Sequence, residues 1–244
     1  LDVSKSLESL AQEIISRVKA VAQAKLASDF SQAPAVGEAR RSVASSALAK
    51  TTHQILAIGA STGGTEALKV LLPQLPADLP GTVIVQHMPP VFTKTFAEHL
   101  QKLCTFEIRE AKEGDTIRPG RVLLAPGNYH MEIVRSGGYY TVKLNQEGAL
   151  HGVRPAADML FKSVAKHAGP NAIGVILTGM GRDGADGLLA MKKEGSYNLA
   201  QDEASCIVYG MPKAAVEIGA IHKSLALKEI ANEICEQIVK REVA

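Results

Sequence analysis

Gln54-Ile-Leu-Ala-Ile-Gly-Ala-Ser-Thr-Gly-Gly-Thr-Glu-Ala-Leu68 is the stretch whose reading decides the fold. Its apolar run from Ile55 to Ile58 reads as a strand buried on both faces, and the chain then turns through small residues. From Thr65 onward the spacing of Leu68, Leu71, Leu72 and Leu75 predicts a helix. Ser61 therefore stands where a central strand hands over to a helix. Gly59, Gly63 and Gly64 permit a tight turn and close approach of a ligand. A hydroxyl there projects from the carboxyl edge of a sheet, beside unpaired helix N–H groups that favour developing negative charge. Two uses compete for such a turn: a serine nucleophile, or a cradle for phosphate.

Downstream, strand and helix signals alternate. Thr82-Val-Ile-Val-Gln86 reads as a second strand ending at His87; after Pro89 and Pro90, the spacing of Phe92, Phe96, Leu100 and Leu103 predicts a helix. Phe106–Arg109 and Val122–Ala125 read as short strands, and the alternating stretches on either side of Ser136-Gly137-Gly138 as a hairpin. Pro155 suits a helix N1 position ahead of Ala156–Lys166. Ala172–Leu177 is a buried strand that feeds the loop Thr178-Gly-Met-Gly-Arg-Asp-Gly184 and then a helix to Lys193. A strand at Tyr197–Ala200, a short helix from Gly210 and a closing helix over Leu225–Val239 complete the pattern. The expectation is an α/β fold with a doubly wound, mostly parallel sheet and an antiparallel hairpin addition, a Rossmann-like three-layer architecture. In such sheets ligands sit at the carboxyl ends of the strands, where Ser61, His87 and the Gly179–Asp183 loop all fall.

Upstream, Leu7–Leu26 has amphipathic helical spacing, whereas Ser28–Lys50 is rich in Ala and Ser with few large apolar residues and reads as a linker. The 244 residues, 46% of them hydrophobic, suffice for one large domain with an appendage. A formal charge of +2, with no basic run interleaved with aromatics, gives no case for nucleic acid. No apolar run approaches the roughly 18–20 residues of a membrane span. The three cysteines, Cys104, Cys206 and Cys235, are far apart and read as structural thiols in a reduced, cytoplasmic compartment.

Gly59-Ala-Ser-Thr-Gly63 satisfies the G-x-S-x-G pattern of a nucleophile elbow in its required strand–turn–helix setting. A serine hydroxyl needs an imidazole to take its proton, and the imidazole needs a carboxylate to fix its tautomer. His87 and Asp183, each following a strand, are the candidates. Asp158, Asp186 and Asp202 are rivals for the acid, with Asp186 better explained as a helix N-terminal carboxylate. The order Ser, His, Asp differs from the Ser, Asp, His order of the α/β-hydrolases. His130 and His151, Arg154 and Arg182 are possible lining groups. No H-E-x-x-H or Cys/His spacing points to a metal, and no P-loop or dinucleotide fingerprint points to a nucleotide, so neither metal nor organic cofactor is expected.

Several separated motifs, in order, resemble the catalytic domain of the chemotaxis protein-glutamate methylesterases, the CheB family. They are Ile58-Gly-Ala-Ser-Thr-Gly-Gly-Thr-Glu-Ala67, Val85-Gln-His-Met-Pro89, His151-Gly-Val-Arg-Pro155 with Asp158, Leu177-Thr-Gly-Met-Gly-Arg-Asp-Gly184, and Gln201-Asp-Glu203 with Tyr209-Gly-Met-Pro-Lys213. The resemblance runs from about His53 to Ala220. It implies a serine hydrolase that demethylates glutamate methyl esters on chemoreceptors, releases methanol and also deamidates certain receptor glutamines. It implies Ser61 as nucleophile, His87 as base, Asp183 as orienting acid, and Thr62 and Met180 at the oxyanion. It further implies that residues 1–50 hold the last helix of a receiver domain and the interdomain linker, with 51–244 the catalytic domain. The partners implied are the receptors' cytoplasmic helical bundle, with recruitment to receptor arrays, and in a longer protein a receiver domain phosphorylated by the chemotaxis histidine kinase. A bundle cannot enter a deep pocket, so an open cleft with Met88, Phe92 and Met211 near its rim is expected, although core packing suits Phe92 better. The competing readings are a phosphate- or nucleotide-binding regulatory module and a small-molecule serine esterase.

Overall fold

The computed structural model describes residues 54–243, with isolated helical positions at Ile15, Val18, Lys19 and Ala22. The remainder of the expected Leu7–Leu26 helix, the Ser28–Lys50 segment and His53 lie outside the described residues.

The first half of the chain alternates strand and helix: β1 (Ile55–Ala60), α1 (Gly64–Leu71), β2 (Gly81–Gln86), α2 (Phe92–Leu103) and β3 (Glu107–Glu110). Short strands follow, β4 (Thr116–Ile117), β5 (Arg121–Leu124), β6 (His130–Ser136) and β7 (Tyr139–Asn145). The second half is α3 (Ala157–Ala168), β8 (Ala172–Ile176), α4 (Ala185–Lys193), β9 (Tyr197–Gln201), α5 (Met211–Glu217), β10 (Lys223–Leu225) and α6 (Leu227–Val243). Seven strands form one sheet in the order β10-β9-β8-β1-β2-β5-β3, parallel throughout. The hairpin β6–β7 joins β4 in a separate three-stranded antiparallel sheet instead of extending the large one.

Burial explains why the central strands read as continuous apolar runs. Every residue of β1 and β2 is buried, because helices cover both faces of the sheet. Leu56 and Ile58 point to the layer of α1, α2 and α6, among Leu68, Leu71, Leu100, Ile230 and Ile234. Ile55 and Ala57 point to the opposite layer, where Phe161, Leu188 and Met211 pack with Met131 and Val142 of the small sheet.

Register places the site. Ala60 is paired with Gln86 and Gly59 with Ile176, so β1, β2 and β8 end at one level. The chain crosses from β1 to β2 on one side and reaches β8 on the other, which opens a crevice beyond β1.

Three local expectations are corrected. Pro155 is not the first helical residue: α3 begins at Ala157, after a cis Arg154–Pro155 bond, and Ala156 donates its N–H to His130 Nδ1 at 3.2 Å. Phe92 is not core but 61% exposed, because it opens α2 on the solvent side while Phe96 and Leu100 take the inner face. β10 was not anticipated; three residues are too few to show a two-residue period.

Candidate active site

Backbone bonds stitch the three strand ends together beyond the regular ladder. Ser61 N–H donates to the Thr178 carbonyl at 3.1 Å, and His87 N–H donates to the Ala60 carbonyl at 3.1 Å. Buried Gln86 adds a side-chain clamp: its Nε2 donates to the carbonyls of Ser61 (2.9 Å) and His87 (3.2 Å). Thr178 Oγ1 donates to the Thr62 carbonyl at 3.0 Å, and its backbone N–H donates to Gln201 Oε1 at 2.9 Å. Sequence reasoning missed Gln86, Thr178 and Gln201. The available signal was an amide or hydroxyl ending an apolar strand, a buried polar group that must find partners.

Ser61 is half-buried and Thr62 exposed at the turn. Gly63 has φ 81°, the left-handed conformation that a side chain resists. The β8–α4 loop crosses beside them so closely that a Cβ on Gly179 would stand 2.8 Å from Ser61 Cβ. Gly179 is held by its N–H to the Val208 carbonyl and by its carbonyl, which accepts from Gly210 and Met211. Among the described residues, the Met180 and Thr62 N–H groups have no hydrogen-bond partner. Unpaired N–H groups beside a serine can receive a developing oxyanion.

His87 Nε2 lies 2.7 Å from Asp183 Oδ2. The carboxylate only accepts, so Nε2 carries the proton and Nδ1 holds the free lone pair. That assignment is the reverse of the chymotrypsin arrangement, in which the acid takes Nδ1. Among the described residues no hydrogen bond joins Ser61 Oγ to the imidazole. Such bonds are commonly long in an unliganded site and tighten around substrate.

Asp183 is 2% exposed and accepts from the first turn of α3 as well, from Ala157 N–H at 2.6 Å and Asp158 N–H at 3.0 Å. Burial pushes its pKa upward, but the His87 bond and these backbone donors outweigh it, and Asp183 is held below the usual carboxylate value.

The rival carboxylates have other partners. Asp158 bonds His151 at 2.8 Å, Asp186 pairs with Arg182 at 3.0 Å on the first turn of α4, and Asp202 caps Ser205. His130 is fully buried and bonds the Gly148 carbonyl and Ala156 N–H, and Arg154 bonds Asn128 and the carbonyls of Gln146 and Glu147. Met211 is fully buried and so unavailable at the rim; Met88 is half-buried, and Val91 and Phe92 are 80% and 61% exposed. Burial pushes the thiols of Cys104 and Cys206 up to about 12, in keeping with structural roles.

His151, Asp158 and Asp183 present ligand atoms within 4.8 Å of one another. Each of the two carboxylates already meets N–H donors on both oxygens, which suits a hydrogen-bonded network of anions better than metal coordination.

A family model described as CheB methylesterase matches residues 56–234. A protein-glutamate methylesterase/protein-glutamine glutaminase of Bdellovibrio bacteriovorus is 59% identical over 244 residues, covering 100% of this chain and 69% of that protein. The protein of the same name from Syntrophotalea carbinolica is 48% identical over 243 residues, 99% of this chain and 69% of its own length. The crystal structure of the Thermotoga maritima CheB methylesterase catalytic domain superposes with a TM-score of 0.74 at 36% identity, over 75% of this chain and 98% of that one. The matched span takes in all three strand ends, and likeness in sequence and in fold agree over it: the chain belongs to the CheB methylesterase family.

Proposed function

We propose that the protein hydrolyses methyl esters of glutamate side chains on a protein substrate, releasing methanol and glutamate, and deamidates glutamines by the same route. The observation that carries this reading is the 2.7 Å bond between Asp183 and His87, at the edge where the chain leaves β1 through Ser61. Ser61 Oγ attacks the ester carbonyl while His87 Nδ1 takes its proton. Asp183 keeps the imidazole in the Nε2–H tautomer and supports the imidazolium that forms. The tetrahedral oxyanion is received by the Met180 N–H, with Thr62 beside it. Collapse breaks the bond to the methoxy oxygen, which takes the proton from His87 and leaves as methanol. A water deprotonated at Nδ1 then cleaves the Ser61 ester, and glutamate and the free hydroxyl are restored. A glutamine side chain would lose ammonia in the first half of the same cycle.

A macromolecular substrate suits the exposed Val91 and Phe92, four and five residues beyond His87. The substrate in this reading is the cytoplasmic helical bundle of a chemoreceptor, with the protein acting at receptor arrays in the cytoplasm. In a longer protein, residues 1–50 would join the 51–244 catalytic unit to a receiver domain phosphorylated by the chemotaxis histidine kinase.

Methanol release from methyl-labelled receptor membranes tests the proposal. Ser61→Ala should lower release by about 10^4-fold or more with an unchanged fold. Release by Ser61→Ala at the wild-type rate defeats it.

A further inference from the structure

Asp158 is 0% exposed, yet the hydrolysis proposed above makes no use of its carboxylate. A carboxylate so removed from water must be partnered. Its Oδ1 accepts from Gly187 N–H at 2.7 Å, in the first turn of α4, and its Oδ2 accepts from His151 Nε2 at 2.8 Å. Its own backbone N–H serves the neighbouring acid, reaching Asp183 Oδ1, while the N–H of the preceding residue, Ala157, reaches Oδ2. One residue thus grips Asp183 with its main chain and His151 with its side chain.

His151 does not fill the core, because its side chain is 29% exposed. It is held at φ 53° in a two-residue turn closed by Leu150 N–H to the Val153 carbonyl (3.1 Å) and the reverse bond (3.0 Å). A left-handed histidine persists where its surroundings over-determine it, and such positions cluster at functional sites. Here the tie to Asp158 draws the ring back over the start of α3.

We propose that His151 and Asp158 form a second imidazole–carboxylate pair that positions the first. With His151 donating, the Asp158 carboxylate is anchored to both the 150–153 turn and the start of α4. The first turn of α3 then holds its two N–H groups aimed at Asp183. Asp183 in turn sets the plane of the His87 ring and the direction of its Nδ1 lone pair. Without the His151 donor, Asp158 keeps only Gly187, the first turn of α3 gains freedom, and the His87 ring loosens. His151 and Asp158 are positioning residues, acting on substrate only through Asp183 and His87. This inference rests on the hydrolytic reading above for its kinetic consequence, but not for its structural one.

The test compares His151→Leu with His151→Gln, whose amide Nε2–H can replace the imidazole donor. In methanol release, His151→Leu should lower kcat about five- to tenfold with KM unchanged, and His151→Gln should stay within about twofold of wild type. Independently of turnover, the His87 Nε2–H resonance in proton NMR of the nitrogen-15-labelled protein should shift or exchange faster in His151→Leu and be retained in His151→Gln. The proposal is overturned if the resonance is the same in His151→Leu as in wild type, or if Leu and Gln lower kcat equally. A wild-type protein with no Ser61-dependent turnover would defeat the hydrolytic reading alone, and the His87 resonance would then decide the pairing by itself.

Discussion

A carboxylate that is 2% exposed is ordinarily a liability, and Asp183 is tolerated because three donors converge on it: His87 Nε2 and the N–H groups of Ala157 and Asp158. Asp183→Asn keeps the shape but offers the imidazole an amide, which admits the wrong tautomer. The expected loss is about 10^4-fold in kcat, measured as methanol release, with little change in KM. Gln86 is the other residue whose chemistry sets geometry. Its amide bridges the carbonyls of Ser61 and His87, so it fixes the separation of the two without touching substrate. Gln86→Met preserves length and removes both bonds; each is worth about 1 kcal/mol, and kcat should fall roughly tenfold or more while far-ultraviolet circular dichroism stays unchanged. Asp183 was legible as a candidate because a glycine-rich loop after a buried strand carried it. Its preference over Asp158 rested on that loop and on the family resemblance; the fold adds the physical contact, giving Asp183 to His87 and Asp158 to His151.

Among the elements, the β8–α4 loop has the least room to change. A Cβ on Gly179 would collide with Ser61 Cβ at 2.8 Å and with the Met211 side chain, so Gly179→Ala must displace the serine or the loop. The expected cost is about 1–3 kcal/mol in urea unfolding, with a loss of activity larger than that cost explains, because Ser61 is what moves. The start of α2 behaves differently. Val91 has φ 77°, rare for a β-branched residue, and with Phe92, four and five residues beyond His87, it presents apolar surface instead of burying it. Phe92→Asp should raise KM for methylated receptor by about fivefold or more and leave hydrolysis of a small methyl ester unaltered. Equal effects on both substrates would remove Phe92 from docking. The spacing of Phe92, Phe96 and Leu100 predicted the helix correctly, but the first residue of an apolar stripe lies at the helix end, where the core no longer reaches.

For the whole molecule, acid is the condition that should unfold it. Burial opposes ionisation of Asp183, Asp115 and Glu107, yet His87, Arg109 and Arg121 respectively outweigh it; Lys223 holds Glu233 down against its own burial. All four carboxylates therefore have folded pKa values below their ordinary ones. A depressed pKa adds stability that is present above the unfolded value and is lost as pH falls through the folded one. Burial also holds His167 and His222 below the ordinary imidazole value. Thermal midpoints should accordingly begin to fall as pH drops below about 6.5 and fall further below about pH 4, and Asp183→Asn should flatten the lower part of that decline. A midpoint that rises on acidification to pH 3 contradicts this account. By itself the sequence determined the alternation of strand and helix, the parallel sheet with covered faces, and the placement of Ser61, His87 and the Gly179–Asp183 loop at strand ends, because apolar periodicity and turn residues are local properties. The tertiary structure alone decided which imidazole nitrogen of His87 faces Asp183, that Asp158 has an imidazole of its own in His151, that the hairpin stands apart from the large sheet, and that Phe92 rather than Met211 reaches solvent. Each of those depends on contacts between residues distant along the chain, and on which of several chemically equivalent partners packing brings within about 3 Å.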